Sequence, residues 1–293
     1  KEQDVVLALF YGQSNAGGSQ TSGLNFSSLA NVYGLDRTNN RNFNNTVTWS
    51  NFSSNNFSLG QDYNNTYAPA NTFAKAWQDH INSGNALNLP DLYIIYIPWG
   101  GQGIDDTENS GNNRWYPGRP ENNLESLFHL AKTKQAAAIA NLSATGKNIR
   151  HLGLNWNQWE TEAGSLEQND IGAKQNYISF FSELLSNMGK NKIPIKVYRP
   201  RSDNYDATST NMIKQVFEDL VNGYENIEYI DAAESPYWTG VAPNYGIFSD
   251  KVHYNAATQS WFATHLMSQI ESGSYGIDYV PIDNTLTTGT TPP

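Results

Sequence analysis

The strongest constraint on this fold is the order in which two kinds of apolar pattern follow one another. Apolar runs at residues 5–10, 92–97, 149–154, 193–198 and 227–230 are each bounded by polar or turn residues and read as strands. Between them, residues 72–81, 124–142, 171–188, 212–221 and 256–270 carry apolar side chains at helical spacing. Strand and helix thus alternate through the chain. The pattern predicts an α/β fold, a three-layer α/β/α sandwich on a parallel sheet of about five strands with right-handed crossovers. In such sheets the sites gather where the carboxyl ends of the strands meet their loops.

Two stretches interrupt the alternation. Residues 18–67 are rich in Asn, Ser, Thr and Gly, and residues 102–123 carry Arg114, Trp115, Tyr116 and Arg119. Each follows a predicted strand end, so each is placed to overhang a site, and long loops in a compact domain are usually functional. The expected division is one domain over residues 1–272 and a Thr/Gly/Pro-rich tail or linker over 273–293. Because the first strand begins almost at once, we expect a domain cut from a longer, multidomain or virion protein.

Composition removes several function classes. With 18 Lys+Arg against 28 Asp+Glu the net charge is −10, so a polyanion such as nucleic acid is repelled over most of the surface. The absence of cysteine excludes a thiol nucleophile, thiolate metal ligands and disulfides. No apolar run is long enough to cross a bilayer, and there is no basic leader with an apolar core, so we expect no membrane partner and an export signal already removed. Only 16% of residues are charged while Asn, Ser, Gly and aromatics abound. Such a surface suits sugar contact and an extracellular setting.

Two motifs carry chemistry. Gly12-Gln13-Ser14-Asn15 follows the first predicted strand, where a serine hydroxyl is exposed and flanking amides can point at one oxygen; the Gly-x-Ser-x-Gly elbow is absent. Asp250-Lys251-Val252-His253 precedes the last predicted helix. A serine nucleophile needs an imidazole to accept its proton, and the imidazole needs an acceptor on its other nitrogen to fix the tautomer. Asp250, three residues upstream, can reach that nitrogen in a turn. Taken singly, Ser14 also reads as an ordinary turn residue and His253 as a surface histidine at a helix start.

Four blocks in order, Gly12-Gln13-Ser14-Asn15, Gly100-Gly101, Gln158-Trp159-Glu160 and Asp250-Lys251-Val252-His253, resemble the SGNH hydrolases, a flavodoxin-like fold, and more narrowly carbohydrate esterase family 6 and the sialate O-acetylesterases. The resemblance implies Ser14 as nucleophile, His253 as base and Asp250 as its acid. It also implies an oxyanion hole made of the Ser14 amide, the Gly101 amide, with Gly100 as rival, and the Gln158 side chain. Glu160 matches the family's glutamate and is a second candidate to orient His253. The chain departs from the family pattern at Asn157 and Trp159, where it usually has His and Gly, and at Gln102, where it usually has Thr.

Trp99, Trp115, Tyr116 and Trp159 lie beside these blocks, and aromatic faces pack on the C–H faces of sugar rings, so with Arg114 they are the expected substrate-binding residues. Trp156 and Trp261 read as core. No cofactor and no metal are implied; the adjacent Asp105 and Asp106 read as a solvated loop. The expected function is that of a serine esterase removing O-acetyl groups from a carbohydrate through an acetyl-enzyme. The alternatives are a glycan-binding module of an adhesin or phage tail protein without chemistry, and a serine esterase for other small esters.

Overall fold

The computed structural model describes residues 3–84, 88–104, 113–121, 125–163, 171–188, 193–201, 207–242 and 244–272. The chain runs β1 (Gln3–Gly12), β2 (Val32–Leu35), α1 (Arg37–Asn40), β3 (Trp49–Asn51), α2 (Pro69–Asn82), β4 (Asp91–Pro98), α3 (Leu127–Ala144) and β5 (Lys147–Asn157). It continues with α4 (Glu160–Ala163), α5 (Ile171–Leu185), β6 (Ile195–Tyr198), α6 (Ala207–Gly223), β7 (Ile227–Ile230), a 3-10 turn (Ala232–Glu234) and α7 (Ala256–Glu271). The strands form one sheet in the order β3-β2-β4-β1-β5-β6-β7. All neighbours are parallel except β3, which pairs antiparallel with β2 at one edge.

β1 lies at the centre, and its residues from Val5 to Gly12 are all buried, as its unbroken apolar run requires. Successive side chains point to opposite faces. Val5, Leu7, Leu9 and Tyr11 pack with Phe128, Phe180 and Phe217 of α3, α5 and α6, whereas Val6, Ala8 and Phe10 pack with Phe73 and Trp77 of α2 and Phe262 and Leu266 of α7. The helices start where their caps dictate. Pro69 opens α2, the Ser126 side chain accepts from the His129 amide at α3, and the Asn255 side chain accepts from the Thr258 amide at α7.

Four of the five predicted strands lie within observed ones and the fifth, 193–198, starts two residues before β6; the sheet has two more strands, β2 and β3. Both come from the Asn-rich stretch expected to be a loop. They are only four and three residues long, too short to stand out within that stretch. That stretch is tied down by polar contacts: the buried Lys134 ammonium of α3 donates to Asn42 Oδ1, Asn44 O and Thr46 O at 2.9 to 3.0 Å. The tail at 273–293 and the pair Asp105-Asp106 lie outside the described residues.

Candidate active site

The site is built where β1 ends between the ends of β4 and β5. Gly12 has φ of 143°, and a Cβ there would collide with the Asn157 carbonyl oxygen, so only glycine lets the chain leave the strand so sharply. Its carbonyl accepts from the Trp99 amide (2.9 Å) and the Gln13 amide donates to Asn157 O (3.2 Å), which stitches the turn to both neighbours. Ser14 is held at its tip.

The second half comes from the loop before α7. Phe248 and Tyr254 form an antiparallel bridge and stack with ring centroids 4.9 Å apart, closing the loop at its base. Within it, Asp250 Oδ1 accepts from the amides of Val252 and His253, each at 2.7 Å, while Oδ2 lies 2.8 Å from His253 Nδ1. Burial pushes the Asp250 carboxyl up, but the bond to the His253 ring and those two amides outweigh it and leave the pKa below the usual carboxylate value. An ionised Asp250 at Nδ1 selects the tautomer carrying its proton there, which leaves Nε2 as an acceptor. His253 Nε2 is 3.1 Å from Ser14 Oγ.

Asn15 locks the two halves together. Fully buried, it donates through Nδ2 to the Glu160 carboxylate and to Val252 O (3.0 Å), and its Oδ1 accepts from the Tyr254 amide (2.9 Å). Its own carbonyl accepts from Gln259 Nε2 of α7 at 3.0 Å. The residue after the nucleophile thus holds both the loop that carries the base and the helix behind it. Glu160 is engaged by Asn15 and by the Trp159 amide (3.1 Å), so the structure pairs Asp250 rather than Glu160 with the imidazole. Burial raises the Glu160 pKa against the lowering effect of Asn15, two backbone amides and nearby His253.

Several expected contacts are not made. Gln158 is fully buried and donates through Nε2 to Glu162 Oε1 at 2.8 Å, not toward the serine. Glu162, whose pKa burial raises to about 7, needs that donor and the Ile104 amide (3.1 Å), and a buried carboxyl is a stronger claimant than an open cleft. Gly101 is exposed with φ of 66°, and a Cβ there would meet nothing within 4 Å; at Gly100 it would lie 3.6 Å from Ser14 Cβ, so the rival glycine is the one beside the nucleophile.

The proposed sugar platform also changes. Trp115 and Trp159 are fully buried and cannot meet a substrate. Trp115 stacks on Tyr11 with centroids 5.6 Å apart and meets Trp156 and Phe180 edge-on, because its loop folds inward beneath the site. Trp99 is half-buried, with the Arg114 guanidinium 4.0 Å and the Arg41 guanidinium 5.0 Å from its ring centroid. Arg114 in turn pairs with Glu125 at 3.0 Å. Tyr116, also half-buried, lines a pocket of about 370 Å³ with Ile104, Phe180 and Glu183. Two residues that sequence reading passed over, Gln61 and Tyr63, stand at the serine: the Tyr63 ring packs on Gly17, and both side chains reach Gly100. Their signal was submerged in the Asn-rich stretch.

Among the described residues no three His, Asp or Glu side chains converge as a metal site, and no helix is long and apolar enough to cross a membrane. No protein-family model matches the chain, and no curated protein matches it in sequence. Solved structures do match. The chain is similar to NanS with a TM-score of 0.61 at 13% identity, over 93% of this chain and 99% of that one. It is similar to a protein from Arabidopsis thaliana with a TM-score of 0.58 at 14% identity, over 91% and 98% respectively. The fold is that of the SGNH hydrolases. A carbohydrate acetylesterase from Xanthomonas citri is also similar, with a TM-score of 0.52 at 11% identity, over 93% of this chain and 57% of that one. The resemblance read from the four blocks therefore extends to the architecture that carries them.

Proposed function

We propose that this protein is a serine esterase that removes O-acetyl groups from a carbohydrate. The observation that carries the reading is the unbroken chain Ser14 Oγ, His253 Nε2, His253 Nδ1, Asp250 Oδ2, with links of 3.1 and 2.8 Å at the end of the central strand. Such a relay activates a serine hydroxyl as a nucleophile for acyl transfer. Ser14 Oγ attacks an ester carbonyl as His253 Nε2 takes its proton, and Asp250 stabilises the imidazolium that results. The tetrahedral oxyanion accepts from backbone amides at Ser14 and Gly100. His253 returns the proton to the leaving sugar oxygen, which frees the alcohol and leaves an acetyl-enzyme. A water, deprotonated by the same imidazole, then releases acetate.

The acetylated carbohydrate as substrate is supported by the block pattern and by the acetylesterase among the structural relatives. A polysaccharide substrate places the protein outside the cell or on a virion. A glycan-binding module without chemistry is the reading this geometry disfavours, because such a module has no need of a serine hydroxyl aligned on an imidazole. The test is acetate release from a panel of acetylated glycans and from an aryl acetate, comparing the intact protein with Ser14→Ala. Ser14-dependent release from both supports the reading. Release from the aryl ester alone leaves an esterase for other small esters, and no Ser14-dependent release from either overturns it.

A further inference from the structure

We propose that the Tyr63 hydroxyl joins the Gly100 amide as a further oxyanion donor, and that the Gln61 side-chain oxygen occupies their focus until substrate displaces it. The proposal rests on the esterase reading of Ser14. The Gly100 amide donates to Gln61 Oε1 at 3.0 Å and the Tyr63 hydroxyl donates to the same oxygen at 3.1 Å. Two donors converging on one sp² oxygen is the arrangement a tetrahedral oxyanion requires.

The position is right as well as the chemistry. A Cβ built on Gly100 would lie 3.6 Å from Ser14 Cβ, 3.1 Å from the Tyr63 hydroxyl oxygen and 3.3 Å from Gln61 Oε1, so the three groups surround one small volume beside the nucleophile. The Tyr63 ring is seated by Gly17, in the turn that Ser14 begins; any side chain there would strike the ring. Burial pushes the phenol up to about 12, so Tyr63 keeps its proton, and donates it, throughout the range in which a neutral imidazole can act as base.

The backbone around Gln61 is anchored while its side chain is free to leave. The Leu59 amide donates to Tyr96 O (2.9 Å) and the Gln61 amide to Pro98 O (2.7 Å), extending the sheet alongside the end of β4, and Arg37 holds the carbonyls of Ser58 and Gly60. Gln61 itself is exposed. The side-chain donor expected of the third block, Gln158, is spent on Glu162, which leaves a place for Tyr63. In the step itself the Ser14 Oγ–carbon bond forms and the carbonyl π pair moves onto oxygen. The serine proton goes to His253, and Tyr63 donates a hydrogen bond without losing its proton.

Tyr63→Phe keeps the ring that packs on Gly17 and removes only the donor, and Gln61→Ala removes only the occupant. With an aryl acetate, Tyr63→Phe is expected to lower kcat about 100-fold with KM within about threefold, the signature of a donor used in the transition state. It should weaken a trifluoromethyl ketone, whose serine adduct bears an oxyanion, by a similar factor. Gln61→Ala is expected to raise kcat/KM by about two- to tenfold, since one hydrogen bond no longer has to be broken. A Tyr63→Phe protein that melts like the wild type and keeps kcat within about threefold overturns the proposal while leaving the esterase reading standing. A Gln61→Ala protein that loses as much activity as Tyr63→Phe also overturns it, because Gln61 would then be a required donor. Absence of Ser14-dependent turnover in the wild type removes both readings together.

Discussion

Asn15 fixes the relation of Ser14 to His253, and Asn15→Asp changes its chemistry while leaving its shape alone. The substitution keeps the acceptor for the Tyr254 amide but removes both donors, and it sets a second carboxyl against Glu160, which is wholly buried and whose pKa burial already raises. Two carboxyls in contact share a proton. The folded variant therefore holds a proton that the unfolded chain gives up above the ordinary carboxylate range, so its stability is full below about pH 4 and falls as pH rises. The slope reaches at most about 1.4 kcal/mol per pH unit, so between pH 5 and 7 the deficit relative to wild type widens by about 2 kcal/mol. A pH-independent loss of about 1–3 kcal/mol adds to this, because Val252 O loses its donor in a part-buried site. Urea denaturation of both proteins at the two pH values measures the gap directly. A gap of the same size at pH 5 and pH 7 would refute the reasoning, since the Asn15–Glu160 contact would then carry no proton linkage.

Two further outcomes follow from the same geometry. Trp115→Ala empties a fully buried site and should cost about 3–5 kcal/mol, lowering Tm by roughly 5–8 °C for a chain of this length, with glycan and aryl acetate turnover reduced alike; a glycan-specific loss at unchanged Tm would return Trp115 to the surface. Asp250→Asn keeps the acceptor for the Val252 and His253 amides but presents a donor to Nδ1, so kcat should fall by about 10²–10⁴, whereas Glu160→Gln should cost less because no bond joins it to the imidazole. Steady-state kinetics on both folded variants decides the order, and the reverse order would make Glu160 the orienting acid.

The parts of this fold that were legible in the sequence are those where burial dictates residue type. β1 and β4 are covered on both faces, so residues 5–10 and 92–97 had to be apolar throughout; the run at 149–154 of β5 stands out less, since Arg150 and His151 lie within it. β2 and β3, the two outermost strands on one side of the sheet, are only four and three residues long, and they leave no such trace. At the site, Ser14, Asp250 and His253 were visible because each motif carries its own local geometry. The Asp250 turn is complete within four residues. Trp115, Trp159 and Gln158 were misplaced because nothing local tells an aromatic ring or an amide whether it faces a cleft or the core. Trp115 is turned by Tyr11 and Phe180, which are distant in sequence, and Gln158 by the buried Glu162 carboxyl one helical turn on, whose burial no local pattern announces. Tyr63 and Gln61 were missed for the same reason, since their partner Gly100 lies nearly forty residues away.

The central place of β1 also has a cost during synthesis. Its register partners are residues 91–98 on one side and 147–157 on the other, so the most apolar strand of the sheet leaves the ribosome before either neighbour exists. At ordinary elongation rates the first partner follows only after roughly 4–17 s, and the second later still. Throughout that interval the run Val5–Tyr11 is an unpaired strand edge, the kind of segment that associates with other chains and that chaperones shield. The turn carrying the nucleophile is made early, but the loop carrying its base is translated some 240 residues later. A nascent chain thus acquires the complete triad only once residues 250–253 have been made.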